Sequence, residues 1–230
     1  MRQAKGLIVL LLGAGLQHAG PAMAQTAGAP IAGRFEIAAG AAWTGTAPVG
    51  ARDATLTAAD GSRFRLFSTS SELTSAAGAE LRIGARVAAA VDVEVTASYS
   101  VPRLTTRVTA DSENSAATTA SEPIGQLMIE GAAVIYLPRR LGSRLVPFAT
   151  AGGGYLQQLD ERQTLLQRGR VVHLGGGVKL PLMSRAAGQR RLKQIGVRVD
   201  VRALVRPAAV TLDDRAHIAP TVAASLYVRF

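Results

Sequence analysis

His217 to Phe230 reads HIAPTVAASLYVRF, and from Pro220 onward it alternates without a break. Val222, Ala224, Leu226, Val228 and Phe230 fall on one side, while Thr221, Ala223, Ser225, Tyr227 and Arg229 fall on the other. A β-strand turns successive side chains to opposite faces, so this stretch predicts a strand with one apolar and one mostly polar face. Ile195 to Arg206 repeats the pattern more strongly: Ile195, Val197, Val199, Val201, Ala203 and Val205 alternate with Gly196, Arg198, Asp200, Arg202, Leu204 and Arg206. An arginine every few residues within a valine run is not the pattern of a soluble core strand. It predicts a sheet with one wholly apolar face and one charged face.

Working outward, the same period recurs over Gly33–Thr44, 80–90, 93–101, 124–137 and 169–182, and 145–159 is a further strand whose two faces are both small and weakly polar, so its facing stays open. With 195–205 and the last strand this makes about eight strands of ten or so residues. That is the length of a tilted strand crossing a bilayer. Three polar connections are expected as loops, at 45–78, 111–121 and 160–168. Arg63-Phe64-Arg65-Leu66-Phe67 lies within the first of these and is read as loop structure above the membrane, with an extra short strand or an extension of the next strand as alternatives. Val91-Asp92 is expected as a tight reversal, and Pro102 as a bend, since proline removes a ladder donor.

The beginning of the chain sets the expected compartment. Arg2 and Lys5 precede an apolar run from Leu7 to Leu12, and Ala22-Met23-Ala24 forms a small-residue cleavage site before Gln25. Residues 1–24 therefore read as a signal peptide, 25–32 as a flexible lead-in and 33–230 as the barrel. The apolar run falls far short of the ~20 residues of a spanning helix. An exported chain without such a helix spans a membrane only as a closed barrel, because no backbone polar group can be left unpaired in hydrocarbon.

The 230 residues contain no cysteine, which excludes disulfides and thiolate metal sites. The formal net charge of +10 raises nucleic acid as a partner, but the cations are mostly single arginines within alternating stretches. Nucleic-acid binding is not expected. Gly175-Gly176-Gly177 has no helix after it, which argues against a nucleotide loop. No cofactor is implied.

The apolar face closed by terminal Phe230 resembles the C-terminal signature of bacterial outer-membrane β-barrels. The alternation over Phe148–Leu159, Val172–Leu182 and Ile195–Val205 is similar to the small eight-stranded barrels of the outer membrane protein A and opacity-protein type. The resemblance implies an all-β, antiparallel up-and-down transmembrane barrel in the outer membrane of a Gram-negative cell. It also implies a monomer surrounded by outer-membrane lipids. Leu226, Val228 and Phe230 would then be the signal read by the barrel assembly machinery.

In such a barrel the face opposite the lipid is the lumen. Alternation assigns to it Arg34, Glu36, Arg82, Arg86, Glu94, Glu130, Lys179, Arg198, Asp200, Arg202 and Arg229. An eight-stranded lumen is just wide enough for side chains to fill, so these charges are expected to pair and plug it. The leading expectation is a non-enzymatic protein with a structural or surface-interaction role. The alternative is a small, anion-leaning, porin-like pore. A third reading is an outer-membrane hydrolase. Asp213, Asp214 and His217 with Asp111 and Glu113 resemble the Asp-His pair facing an acidic pair across the barrel mouth of outer-membrane aspartyl-type proteases, but those have more strands. His173 faces inward with no evident serine or acid partner. Arg139, Arg140, Arg144, Arg185, Arg190, Arg191 and Lys193 are expected in turns at the other end, as solubilising residues or headgroup contacts.

Overall fold

The structure, a computed structural model, describes residues 34–109, 116–138, 145–159, 165–184, 192–206 and 216–230. The expected signal peptide and lead-in lie outside these residues. The twelve described strands are β1 (Phe35–Thr44), β2 (Ala47–Thr57), β3 (Arg63–Leu73), β4 (Ala76–Ala88), β5 (Val91–Ser100) and β6 (Arg103–Thr109), followed by β7 (Thr118–Pro123), β8 (Gly125–Tyr136), β9 (Val146–Leu159), β10 (Leu165–Ser184), β11 (Gln194–Arg206) and β12 (His217–Arg229).

Eight of them close an antiparallel barrel in the order β1-β12-β11-β10-β9-β8-β5-β4. The closing pair is β1 with β12, and the Phe230 N–H donates to the Phe35 carbonyl at 2.9 Å just past that pair. Closure leaves no edge strand, which is what hydrocarbon surroundings demand. The exterior is apolar along every strand with a resolved alternation. Phe35, Ile83, Val95, Ile129, Leu174, Val201 and Leu226 are among the large hydrophobics left exposed there.

The remaining four strands form an open sheet, β2-β3-β6-β7. It is the outward continuation of four barrel strands. β2 follows β1 after Gly45-Thr46, β3 leads into β4, β6 follows β5 beyond Val101-Pro102, and β7 leads into β8 through Ile124. The loop expected over 45–78 is therefore two strands, and Arg63–Phe67 begins one of them. The expected 111–121 loop likewise ends in β7, and β10 starts at Leu165, inside the expected 160–168 connection. The signal was weak because these strands lie beyond the barrel wall, where no lipid imposes strict alternation. Two register shifts, at Pro48/Gly50 and Ala54/Thr55, blur it further. The β2–β3 hairpin is closed by Asp60, which accepts from the Ser62 Oγ at 2.6 Å and the Ser62 N–H at 2.9 Å. Those hydrogen bonds hold the Asp60 carboxyl below its usual range.

Candidate functional site: the barrel lumen

Inward-facing positions follow from the alternation of each strand. The reversal between β4 and β5 is at Ala89-Ala90, not Val91-Asp92, so Asp92 already points inward. Arg34, expected in the lumen, lies exposed just before β1. Its strand has not yet begun there, so alternation does not govern it.

The remaining charges form a stack along the lumen. At the end where the chain terminates, Glu36 on β1 accepts from Lys179 Nζ at 2.6 Å and Arg229 Nη2 at 2.5 Å. Arg229 also reaches Asp92 Oδ2 at 3.0 Å. Asp92 pairs with Arg86 and accepts the Tyr136 hydroxyl at 2.5 Å. The Tyr136 oxygen in turn accepts from Lys179 at 2.7 Å, and the Arg86 guanidinium lies over the ring, 4.7 Å from its centroid.

In the middle, Arg82 grips Asp200 with two parallel bonds, Nη1 to Oδ2 at 2.8 Å and Nη2 to Oδ1 at 3.2 Å. Such fork-to-fork pairs are among the strongest ionic contacts. Arg198 Nε donates to Asp200 at 3.0 Å and its Nη1 to Glu94 at 2.5 Å. Arg198 is only 1% exposed and stacks on Phe148, 4.4 Å from the ring centroid. Further along, Arg202 pairs with Glu80 and lies 3.5 Å from Glu130. Its Nε sits 3.1 Å from Asp200 but makes no hydrogen bond, so the contact is coulombic only. Glu130 is also 2.7 Å from Nδ1 of His173. His173 thus has an acid partner after all. The two residues are 43 positions apart and stand on β8 and β10, brought together by the pairing of both strands with β9.

Glu80 and Asp92 are members of this network that the alternation argument left out. Glu80 opens the expected strand 80–90 but is not among the residues assigned to the lumen, and Asp92 is expected in the reversal. All barrel strands except β9 contribute a charged group, and β9 supplies Phe148 and Leu156.

The glycine run on β10 has a packing role. A methyl group at Gly175 would lie 2.8 Å from Arg202 Cγ, and one at Gly177 would lie 2.7 Å from Asp200 Cβ. Both glycines face the lumen and leave room for the large charged side chains of β11. Gly196 does the same for Tyr227.

Above the ionic stack is an apolar layer of Met128, Leu156, Val171 and Leu204, all buried. Beyond it, one inward step further along β8, β9 and β11, come Gln126, Gln158 and Arg206. Arg206 is buried and donates to Gln126 Oε1 at 3.3 Å, and its Nε has no partner among the described residues. Apart from Arg206, the inward cations Arg82, Arg86, Lys179, Arg198, Arg202 and Arg229 face the six carboxylates Glu36, Glu80, Asp92, Glu94, Glu130 and Asp200.

No metal-ligand group of three or more His, Cys, Asp or Glu occurs among the described residues. Of the hydrolase candidates, Asp111, Glu113, Asp213 and Asp214 lie outside the described residues, and His217 opens β12. Of the basic residues expected in turns, Lys193 is described and its N–H donates to the Arg229 carbonyl at 2.9 Å. Arg139, Arg140, Arg144, Arg185, Arg190 and Arg191 lie outside the described residues.

No family model matches the chain. No curated protein sequence matches it either. Solved structures do. Neisserial surface protein A superposes with a TM-score of 0.53 at 13% identity, covering 85% of this chain and 97% of that one. The outer membrane protein OprG from Pseudomonas aeruginosa superposes with a TM-score of 0.51 at 14% identity, covering 86% and 96%. At such identities the likeness is one of fold, and with the closed barrel and its apolar exterior it gives a plain result. The chain has the fold of the small eight-stranded outer-membrane β-barrels.

Proposed function

We propose that the chain is a non-enzymatic, monomeric outer-membrane barrel with a structural or surface-interaction role, its lumen closed rather than conducting. The observation that carries this reading is the filled interior. Six cations and six carboxylates interlock across the barrel, and the apolar layer of Met128, Leu156, Val171 and Leu204 sits on top of them. Ions cross a pore when its lining replaces their hydration, and an apolar constriction resists this. With carboxylates matching cations in the stack, little net charge remains to favour anions. Inward charges that pair with one another are also accounted for without a substrate, which disfavours a hydrolase in the barrel interior.

Outer-membrane lipids and the barrel assembly machinery are the partners this reading implies, with Leu226, Val228 and Phe230 as the assembly signal. Deleting Phe230 removes the bond to Phe35 and should reduce the heat-modifiable, folded form on gels. The deciding experiment is planar-bilayer recording of the wild type and Glu130→Ala. A closed barrel gives no steady single-channel conductance in either. Stable channels whose ion selectivity shifts with Glu130→Ala would establish the pore instead.

A further inference from the structure

Arginine also occurs outside the lumen, and one set of four lies next to the barrel wall. On β5 and β6 the exterior positions run Tyr99, Val101, Arg103, Thr105 and Arg107, so the apolar wall passes directly into basic residues. On β10, Arg170 stands opposite Tyr155 of β9, with Arg168 beyond it. Tyr99, Tyr155 and Trp43 are the exposed aromatics at this end of the barrel wall, where a girdle marks the edge of the hydrocarbon. Arg103, Arg107, Arg168 and Arg170 therefore stand at headgroup height, and all four are exposed. Among the described residues none of them makes an ion pair, although Glu72 shares the outer face of the β2-β3-β6-β7 sheet.

The wall beneath is shaped as well as charged. A groove of about 370 Å³ runs over Ala39, Leu81, Ala97, Tyr99 and Leu127. Above it, a cavity of about 420 Å³ shares Tyr99 and ends at Arg103. Higher still, a third of about 560 Å³ is lined by Ser70, Glu72, Thr105 and Arg107, one carboxylate beside the guanidinium. An apolar furrow that rises from the bilayer into unpaired guanidinium groups matches one kind of occupant: a lipid with its acyl chain below and a phosphate above. Guanidinium binds phosphate through paired N–H groups, which a neutral headgroup cannot engage in the same way.

We propose that Arg103 and Arg107 above the Tyr99 furrow, with Arg168 and Arg170 farther round the wall on β10, bind phosphate-bearing lipids of the outer leaflet. The proposal rests on the outer-membrane reading above, and its test separates the two. Refolded barrel is mixed with bisphosphorylated lipid A, and retained lipid is counted by native mass spectrometry. The same lipid stripped of its phosphates is the comparison probe. The wild type should retain the phosphorylated form preferentially. Each arginine changed to glutamine should weaken retention roughly fivefold, the effect of one basic residue near an anionic surface. The quadruple variant should lose the preference altogether. Arg63→Gln with Arg65→Gln, at the far tip of the β2–β3 hairpin, should keep it.

Equal retention of the two lipid forms would overturn the proposal, as would a quadruple variant that binds like wild type or a tip variant that loses as much. Heat-modifiability of each variant is read on the same samples. A quadruple variant that fails this fold check is replaced by the pairs Arg103→Gln/Arg107→Gln and Arg168→Gln/Arg170→Gln, judged by the same loss of preference. A wild type that never gives the folded, bilayer-inserted form sinks the outer-membrane reading. A folded, inserted wild type without lipid preference sinks only this inference.

Discussion

Asp200 and Asp53 show what the two halves of this molecule ask of a charge. Asp200, in the lumen, is 1% exposed, is gripped bidentately by Arg82 and accepts a third bond from Arg198. Asp53, on the outer sheet, stands 3.6 Å from Arg65 with both side chains more than half exposed, and accepts the Ser68 hydroxyl at 2.6 Å. The chemistry is the same, an aspartate and an arginine on β-strands. Only the surroundings differ. Within the barrel the charges have no water to fall back on, so each must find a partner and the strand must present it inward. In the outer sheet water serves every group equally, and neither pairing nor facing is enforced.

The largest test of that contrast is Asp200→Ala. It leaves Arg82 and Arg198 without their shared partner, and loss of one member of a buried pair costs about 3–5 kcal/mol. Urea unfolding in lipid vesicles should show a drop of that size. A drop under ~1 kcal/mol would mean that the lumen is wet and its ion pairs behave as surface ones.

Next comes facing. Val199→Arg places a charge against the lipid at mid-wall, at a cost of about 2–4 kcal/mol. Folding yield into vesicles, read by gel mobility before and after heating, should fall sharply. Phe67→Arg on the outer sheet should leave the yield unchanged. Equal loss at both positions would place the outer sheet within the bilayer and remove the contrast.

Packing gives a smaller effect. Gly177→Ala forces a methyl group to within 2.7 Å of Asp200 Cβ, whereas one at Gly131, on the lipid side, meets nothing within 4 Å. Overpacking of the first kind costs typically about 1–3 kcal/mol. Gly131→Ala should be neutral in the same unfolding assay. Similar behaviour of the two would show that the lumen has slack.

The smallest expected effect is Asp53→Ala, about 0–1 kcal/mol, because its partner is a solvated arginine. Its unfolding midpoint should match that of the wild type. A loss as large as that of Asp200→Ala would mean that the outer sheet is held as tightly as the barrel.

The barrel strands were legible in the sequence because the bilayer punishes any departure from alternation. Val199, Val201 and Leu226 must face out, Arg198, Asp200 and Arg202 must face in, and each strand records that in its own residues. β2, β3 and β7 were not legible for the opposite reason. Water accepts either face, and two bulges break the period, so Arg63–Phe67 read as loop. Strand limits set by the pattern alone also lost Asp92 to a reversal and placed Arg34 inward before its strand begins, and Glu80, first residue of its expected strand, was not assigned to the lumen.

The sequence by itself determined the class of fold, the facing of the wall residues in the clearly alternating strands and the presence of charge in the lumen. All of these follow from local periodicity under one uniform constraint. Which cation meets which carboxylate was decided by the tertiary structure. Arg82 and Asp200 are separated by 118 positions, and His173 and Glu130 by 43. Closure of the barrel through β1 and β12 brings Arg82 of β4 to Asp200 of β11, and pairing on either side of β9 brings His173 to Glu130. A period-two pattern carries no information about distance across a lumen, and that distance is what makes the interior a plug.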